Sequence, residues 1–461
     1  MKTPITEMFG IDVPILAFTH CRDVVAAVTK AGGLGVLGAA GHTREQLEID
    51  LNWIDEQLAG RPYGVDVIVP ARYEGSDQGG VTVGELVAMI PDGHRRFLDD
   101  LLARYDVPSL EDDDGGVERD LGESAVFSAN SVGAQLEIAL AHQPVLVVNA
   151  LGPPPPWMVE QSKAAGAKVG ALAGKPQHAQ RHVNAGVDVL IAQGSEAGGH
   201  TGEIGSMVLI PEIVDAAGDV PVLGAGGIGR GRQMAAAMAL GAAGVWCGSV
   251  WLTTQEAETL PAVKQKMLTA TSSDTVRSRS RTGKYTRQLR SAWTDAWADP
   301  SAPEPLPMPL QPILVDRALR AIDRSAHQPG SGAEALANYY VGQIVGAMNT
   351  SIPAAQVVYE MIDEFVDAVH RLGSELSMSL RLVHTSDELT ALAEACHEPA
   401  RADEPYRRAL RVIHADGRAF LADTSTSYDA ILVHLNDPQT FQTNRFFTDR
   451  FFSLARSRLS E

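Results

Sequence analysis

Ala185-Gly186-Val187-Asp188-Val189-Leu190-Ile191-Ala192-Gln193-Gly194-Ser195-Glu196-Ala197-Gly198-Gly199-His200 carries three signals in one run. The glycine after an alanine-rich, helix-like segment fits a left-handed C-cap that feeds a strand. The apolar run Val187–Ala192 reads as a strand buried on both faces. It empties into a glycine-rich polar loop holding one histidine, and α/β proteins bind ligands where strands end in such loops. The same junction recurs at Ala31-Gly32-Gly33-Leu34-Gly35-Val36-Leu37 and at Leu240-Gly241-Ala242-Ala243-Gly244-Val245-Trp246.

Outward from these junctions, eight segments read as strands: Pro14–Phe18, Leu34–Gly38, Gly64–Val69, Val145–Val148, Val169–Leu172, Val187–Ala192, Val220–Gly224 and Val245–Cys247. Amphipathic helices fall between them, as at Arg22–Ala31, Pro176–Ala185 and Gly231–Leu240. Alternating strands and helices imply parallel pairing with right-handed crossovers. Eight units predict an α/β fold of the (β/α)8 barrel type, the TIM barrel.

Three parts follow: a barrel over 1–300, a proline-rich connector with a helical extension over 301–378, and a small α/β, half-Rossmann-like tail over 379–461. An insertion at about 71–131 follows the third strand and carries a helical piece, His94–Tyr105, and an acidic run from Glu111 to Glu123. Charge of that density predicts a solvated surface excursion, with a lid over the strand ends as the functional alternative. Glu256–Ala270 reads as a helix, and Pro300–Pro312, with six prolines, as an extended connector. Ala333–Leu372 reads as helical with a break at Pro353.

The chain has 461 residues, 45% of them hydrophobic, and a formal net charge of −19. That balance gives no basic face for nucleic acid. No apolar run reaches the roughly 18 residues of a membrane span, and the N-terminus has no signal-peptide core. A cytoplasmic protein is expected. Cys21, Cys247 and Cys396 lack the spacing of a disulfide framework or a zinc site. The sequence leaves the oligomeric state open, a homo-oligomer included.

His200 is the candidate general base, because imidazole exchanges protons near neutral pH. Glu196 either assists it or caps the loop. His20 and His142 lack the glycine-rich setting. His178 and His182 stand i, i+4 on one predicted helix but have no evident third ligand, so no metal is expected. Two glycine clusters, Gly224–Gly229 and Cys247-Gly248-Ser249, follow the last two strands. Barrels commonly hold phosphate there on backbone N–H groups, which makes Gly226, Gly227, Gly248 and Ser249 candidates. Lys284, Arg277, Arg279 and Arg281 read as surface charge or a structural cap.

At these residues the chain resembles the nitronate monooxygenase family. The matching stretches are Ala31–Leu37, Gly64-Val65-Asp66, Ala192–His200, Gly224–Ile228 and Val245–Ser249, and the resemblance covers about residues 1–375. It implies an FMN-dependent oxidoreductase that oxidises alkyl nitronates or nitroalkanes with O2 to carbonyl compounds and nitrite. It places the proton step on His200, flavin contacts on Gln193, Gly198 and Gly199, and the FMN phosphate on Gly226, Gly227, Gly248 and Ser249. The backbone at Ala17 and Phe18 would pass near the flavin. Asp66 stands where many members have asparagine. The alternatives are an NAD(P)H-dependent flavin reductase acting on enoyl thioesters or quinones, and a non-catalytic nucleotide-binding protein. The tail, about 380–461, resembles a partial spermidine-synthase-like fragment that lacks the expected carboxylates, with histidine at His384 and His434.

Overall fold

A computed structural model describes residues 1–69, 83–108, 129–328 and 330–375. Eight parallel strands close into a barrel: β1 (Ile15–Thr19), β2 (Leu34–Gly38), β3 (Gly64–Val67), β4 (Leu146–Asn149), β5 (Lys168–Ala173), β6 (Val189–Gln193), β8 (Val222–Ala225) and β9 (Gly244–Cys247). Each of the eight expected strands is present within two residues or so of its expected bounds. Residue alternation sorts their side chains. Leu16, Leu34, Val36, Leu146, Val148, Val189, Ile191, Leu223, Ala225 and Trp246 form one core cluster, which Ile5 and Phe9 of the N-terminal helix Pro4–Phe9 join. Leu37, Val65, Val67 and Val147 belong to a second cluster with Val25, Leu47, Leu51 and Ile54 of the flanking helices. The first cluster fills the barrel and the second lies between barrel and helices. Asp66, between Val65 and Val67, therefore points inward, as do Phe18, Gly38, Gln193 and Gly248 at the C-terminal mouth.

Three small strands lie outside the barrel: β7 (Gly199–His200), β10 (Thr275–Ser278) and β11 (Thr286–Leu289), in the antiparallel order β10-β11-β7. The basic, hydroxyl-rich stretch around Arg277 is thus partly strand, and Arg281 is buried rather than a surface charge.

A third core cluster joins Leu86, Ile90, Leu98 and Leu101 of the insertion to Val263, Met267, Trp293, Trp297, Leu314, Ala318 and Ile322. The insertion's helices, Val83–Ala88 and Asp92–Arg104, are therefore packed elements and not a wholly solvated excursion. Their apolar residues recur at helical spacing and bury against helix Leu310–Ser325 and its neighbours. The acidic run lies outside the described residues.

Pro312 sits in the first turn of Leu310–Ser325, where a missing N–H costs nothing, so the extended connector ends earlier than expected. The helix expected over Ala333 to Pro353 is replaced by a short helix (Ala333–Leu336), an irregular strap and a 3-10 turn (Gln343–Ala347), and after the break at Pro353 a helix runs over Ala354–Glu375. One compact unit comprises Met1–Met361 and a second Ile362–Glu461. The spermidine-synthase-like fragment lies outside the described residues.

Candidate functional site

Gln193 ends β6, and the chain turns tightly after it. Gly194 N donates to the Ala225 carbonyl at 3.0 Å, Ala197 N to Gly194 at 3.1 Å, and Ser195 N to Ile204 at 2.8 Å. Both Glu196 carboxylate oxygens accept from Ser206 N, at 3.0 and 2.9 Å. Glu196 thus caps helix Ser206–Ala217, where an anion meets orphan N–H groups and the positive dipole end. It stabilises the loop and has no bond to His200.

His200 lies in β7 and pairs with Thr286 of β11. Its Nε2 is 3.0 Å from Thr282 Oγ1. Thr282 donates its one proton to the Lys284 carbonyl at 3.2 Å, an oxygen that can only accept. With that proton on the Lys284 carbonyl, the hydroxyl oxygen accepts the His200 Nε2–H and the ring presents Nδ1 as the bare nitrogen, the tautomer assigned from this network. His200 retains open surface, yet burial of the ring, followed by the nearby Lys284 ammonium, brings its pKa down to about 4. The imidazole is neutral at pH 7 and able to accept a proton.

The opposite side of the mouth is aromatic. Phe18 stacks on Trp246, with centroids 5.8 Å apart, and meets His20 edge-on at 5.2 Å. His20 Nδ1 lies 2.9 Å from the Gly38 carbonyl, and burial lowers its pKa. A side chain at Gly38 would strike both the His20 and Phe18 rings, so that glycine makes room for them. Ala17 points away from the barrel interior and offers only backbone to the mouth. Asp66 is 2% exposed, has no hydrogen-bond or ion-pair partner among the described residues, and burial raises its pKa well above the usual carboxylate range. Burial thus favours its neutral form in the barrel interior.

The glycine clusters meet the requirements of a phosphate cradle. Gly226 and Gly227 have φ of +97° and +69°, which side chains rarely tolerate. A Cβ at Gly226 would come within 2.9 Å of the Gly194 carbonyl. Among the described residues, the N–H groups of Gly226, Gly227 and Gly248 donate to no protein acceptor. Successive free amides in such a turn form an anion nest. Ser249 Oγ accepts from Gly342 N at 2.8 Å and keeps its own proton for donation. A cavity of about 460 Å³ reaches Gly226 and Gly227 from between helices Ser206–Ala217 and Gly231–Ala239. Gln193, His200 and Gly248 do not line it, so the barrel mouth remains the better candidate for chemistry.

The strap escaped sequence reading. Gln343 N donates to the Glu196 carbonyl at 2.9 Å, and Arg281 grips Asn338 through its Nε at 2.9 Å and its Nη2 at 2.6 and 2.7 Å. Asn338–Gln343 thereby ties β11, the His200 loop and Ser249 together. The run Asn338-Tyr339-Tyr340-Val341-Gly342 breaks helical periodicity, a signal that could have excluded a helix there. Thr282 gave no signal of its own. His178 and His182 have ring centroids 6.4 Å apart, and His182 Nε2 lies 3.0 Å from the Leu172 carbonyl.

The nitronate monooxygenase family matches residues 100–364. The chain belongs to that family. It is an enzyme, a flavin-dependent oxidoreductase. A Mycobacterium tuberculosis protein named "Putative monooxygenase Rv1533" is 54% identical over 375 residues, which are 81% of this chain and 98% of that protein. A "Probable nitronate monooxygenase" of Staphylococcus aureus is 28% identical over 64% of this chain and 80% of its own. Among solved structures, a nitroalkane oxidase from Streptomyces ansochromogenes is 27% identical with a TM-score of 0.64, covering 80% of this chain and 99% of that one. FabK from Thermotoga maritima, 23% identical with a TM-score of 0.60 over 81% of this chain and 99% of its own, shares the fold. The spermidine-synthase-like reading of the tail gains no support, and the family match ends at residue 364. No helix among the described residues is long and apolar enough to cross a membrane.

Proposed function

We propose that this enzyme uses FMN to oxidise alkyl nitronates with O2, giving carbonyl compounds and nitrite, and that it also accepts neutral nitroalkanes by removing their α-proton. The observation that carries the reading is His200: a neutral imidazole, oriented through Thr282, in the loop that follows a barrel strand. The free amides of Gly226, Gly227 and Gly248, with the Ser249 hydroxyl, suit the FMN phosphate and need no reorganisation to receive it. Gln193 and the backbone at Ala17, Phe18, Gly198 and Gly199 border the mouth where the isoalloxazine would lie, with Asp66 beneath it in the barrel interior. Bound FMN supplies the redox chemistry and the protein orients it. His200 Nδ1 accepts the α-proton, and Thr282 holds the ring for that transfer. The family match and the likeness to a nitroalkane oxidase support the substrate class.

Purified protein tests this directly. A yellow flavin spectrum that bleaches anaerobically with a primary nitronate, followed by nitrite release in air, is the expected result. Bleaching by NADPH with no response to nitronates would replace the reading with a reductase. A protein that takes up no flavin would remove both.

A further inference from the structure

The small sheet beside the barrel has two faces. Ser278, Thr286 and His200 lie in one register row, and Arg277, Arg287 and Gly199 in the next. Directly paired residues share a face, and neighbouring rows alternate. His200 and the arginine pair therefore project from opposite faces. The Arg277 guanidinium lies over the Tyr285 ring, 5.2 Å from its centroid, and Arg277 Nη2 reaches the Thr201 carbonyl at 3.4 Å.

Two guanidinium groups set directly across a strand pair repel each other. Among the described residues neither forms an ion pair with a carboxylate. Glu196 is the acid nearest in influence, and its oxygens are engaged by Ser206. Burial first, then Arg277, lowers the Arg287 pKa. Arg287 is otherwise provided for: its Nε donates to the Ser195 carbonyl at 2.9 Å and its Nη1 to Thr275 Oγ1 at 3.1 Å. Arg277 is not. Its Nε is buried without an acceptor, and the hydroxyl of Thr201, whose carbonyl Arg277 Nη2 reaches, is buried without a partner. A water molecule could accept from both donors, but it would leave the paired positive charges unopposed.

We propose that Arg277 and Thr201, with Arg287 behind them, form a binding site for the oxyanion of a ligand, a phosphate or carboxylate group. Its oxygens accept from the Arg277 Nε–H and the Thr201 hydroxyl, and its charge offsets the arginine pair. Arg277 and Thr201 are part-exposed and Lys284 and Tyr285 are exposed, so the two covered donor atoms lie close beneath the surface. Its donors are different groups from the amides at Gly226, Gly227 and Gly248. It lies on the far side of β7 from His200, where a bound anion would fix Thr201 and hence the base next to it. The site takes either a free inorganic anion or the anionic end of a larger substrate.

The test is calorimetric titration of the flavin-loaded protein, whose flavin phosphate site is already filled, with inorganic phosphate and with acetate at constant ionic strength. The readout is anion heat, so it stands whether or not nitronates are turned over. Saturable binding of either anion is expected, weakened about tenfold or more by Arg277→Gln, because a charge-assisted hydrogen bond is lost. Thr201→Val keeps the side chain's shape, removes the hydroxyl and should also weaken binding. Should Arg277→Gln fail to fold, Thr201→Val decides. No saturable binding of either anion, or unchanged affinity in the folded variants, overturns the proposal.

Discussion

His200 can act as a base only while it is neutral. Its pKa, brought down to about 4 by burial and by Lys284, predicts that turnover of neutral nitroalkanes stays flat from about pH 8 to about pH 5 and declines as pH approaches 4. A pH–rate profile bending near the ordinary histidine value would contradict this environment. His200→Asn should keep the yellow flavin and lose neutral nitroalkanes, while pre-formed nitronates, already deprotonated, suffer less. Thr282→Val leaves Nε2 without its acceptor. The loss of one orienting hydrogen bond, about 1–1.5 kcal/mol, predicts roughly tenfold lower kcat on neutral nitroalkanes, restored by Thr282→Ser. Asp66 makes a different prediction. Its pKa is raised in the folded chain, so the stability it contributes is whole below the unfolded-state pKa and is lost as pH rises through the folded value. Asp66→Asn cannot ionise. It should melt level with the wild type at about pH 4, near the unfolded-state pKa, and above it at about pH 8, and thermal melts at both pH values check the sign. His200 was legible as a candidate because it follows a barrel strand within a glycine-rich loop, and Asp66 only through the family resemblance. Thr282 was not, because its role depends on a contact with a residue 82 positions away.

Elements were readable in proportion to how far apolar burial defined them. The barrel strands are apolar on both faces and begin at glycine stops, so pattern alone finds them. β11 is buried by pairing polar groups with one another: Thr286 and Gln288 are fully buried, with Gln288 Nε2 donating to Thr286 Oγ1 at 2.8 Å. Polar burial of this kind reads from sequence as a solvated loop. β7 is two residues long and has no periodicity to read. The strap is irregular because Gly342 must pass close to the His200 loop, where a Cβ would strike the Glu196 carbonyl. The loop's own anchor is the Glu196 cap on helix Ser206–Ala217. Glu196→Ala removes a charged cap at a helix N-terminus, predicting a loss of about 1–2 kcal/mol. Chemical denaturation should show it, together with weaker flavin retention, since the same turn adjoins Gly226 through Gly194. Unchanged stability would mean that the strap alone holds the loop.

The whole chain carries its candidate site within the unit Met1–Met361. That unit contains the barrel, the three-stranded sheet, the strap and the third core cluster, in which insertion and extension, remote in sequence, bury one another's apolar faces. Such pairing is invisible to local pattern, because each segment alone looks like a surface helix. The candidate site draws on residues from Ala17 to Gln343 and on none beyond. The Mycobacterium tuberculosis relative is matched over 98% of its length by 81% of this chain, so a relative of that similarity manages with much less sequence. Truncation after Glu375 should therefore yield a folded protein that keeps its flavin absorbance and its nitronate turnover, with a melting temperature within about 2–4 °C of the full chain, the shift that roughly 1 kcal/mol produces at this size. Absorbance of the purified variant and nitrite release measure both properties. Loss of flavin at unchanged melting temperature would assign the tail a direct part in the site. Loss of both would make it a structural partner of the barrel.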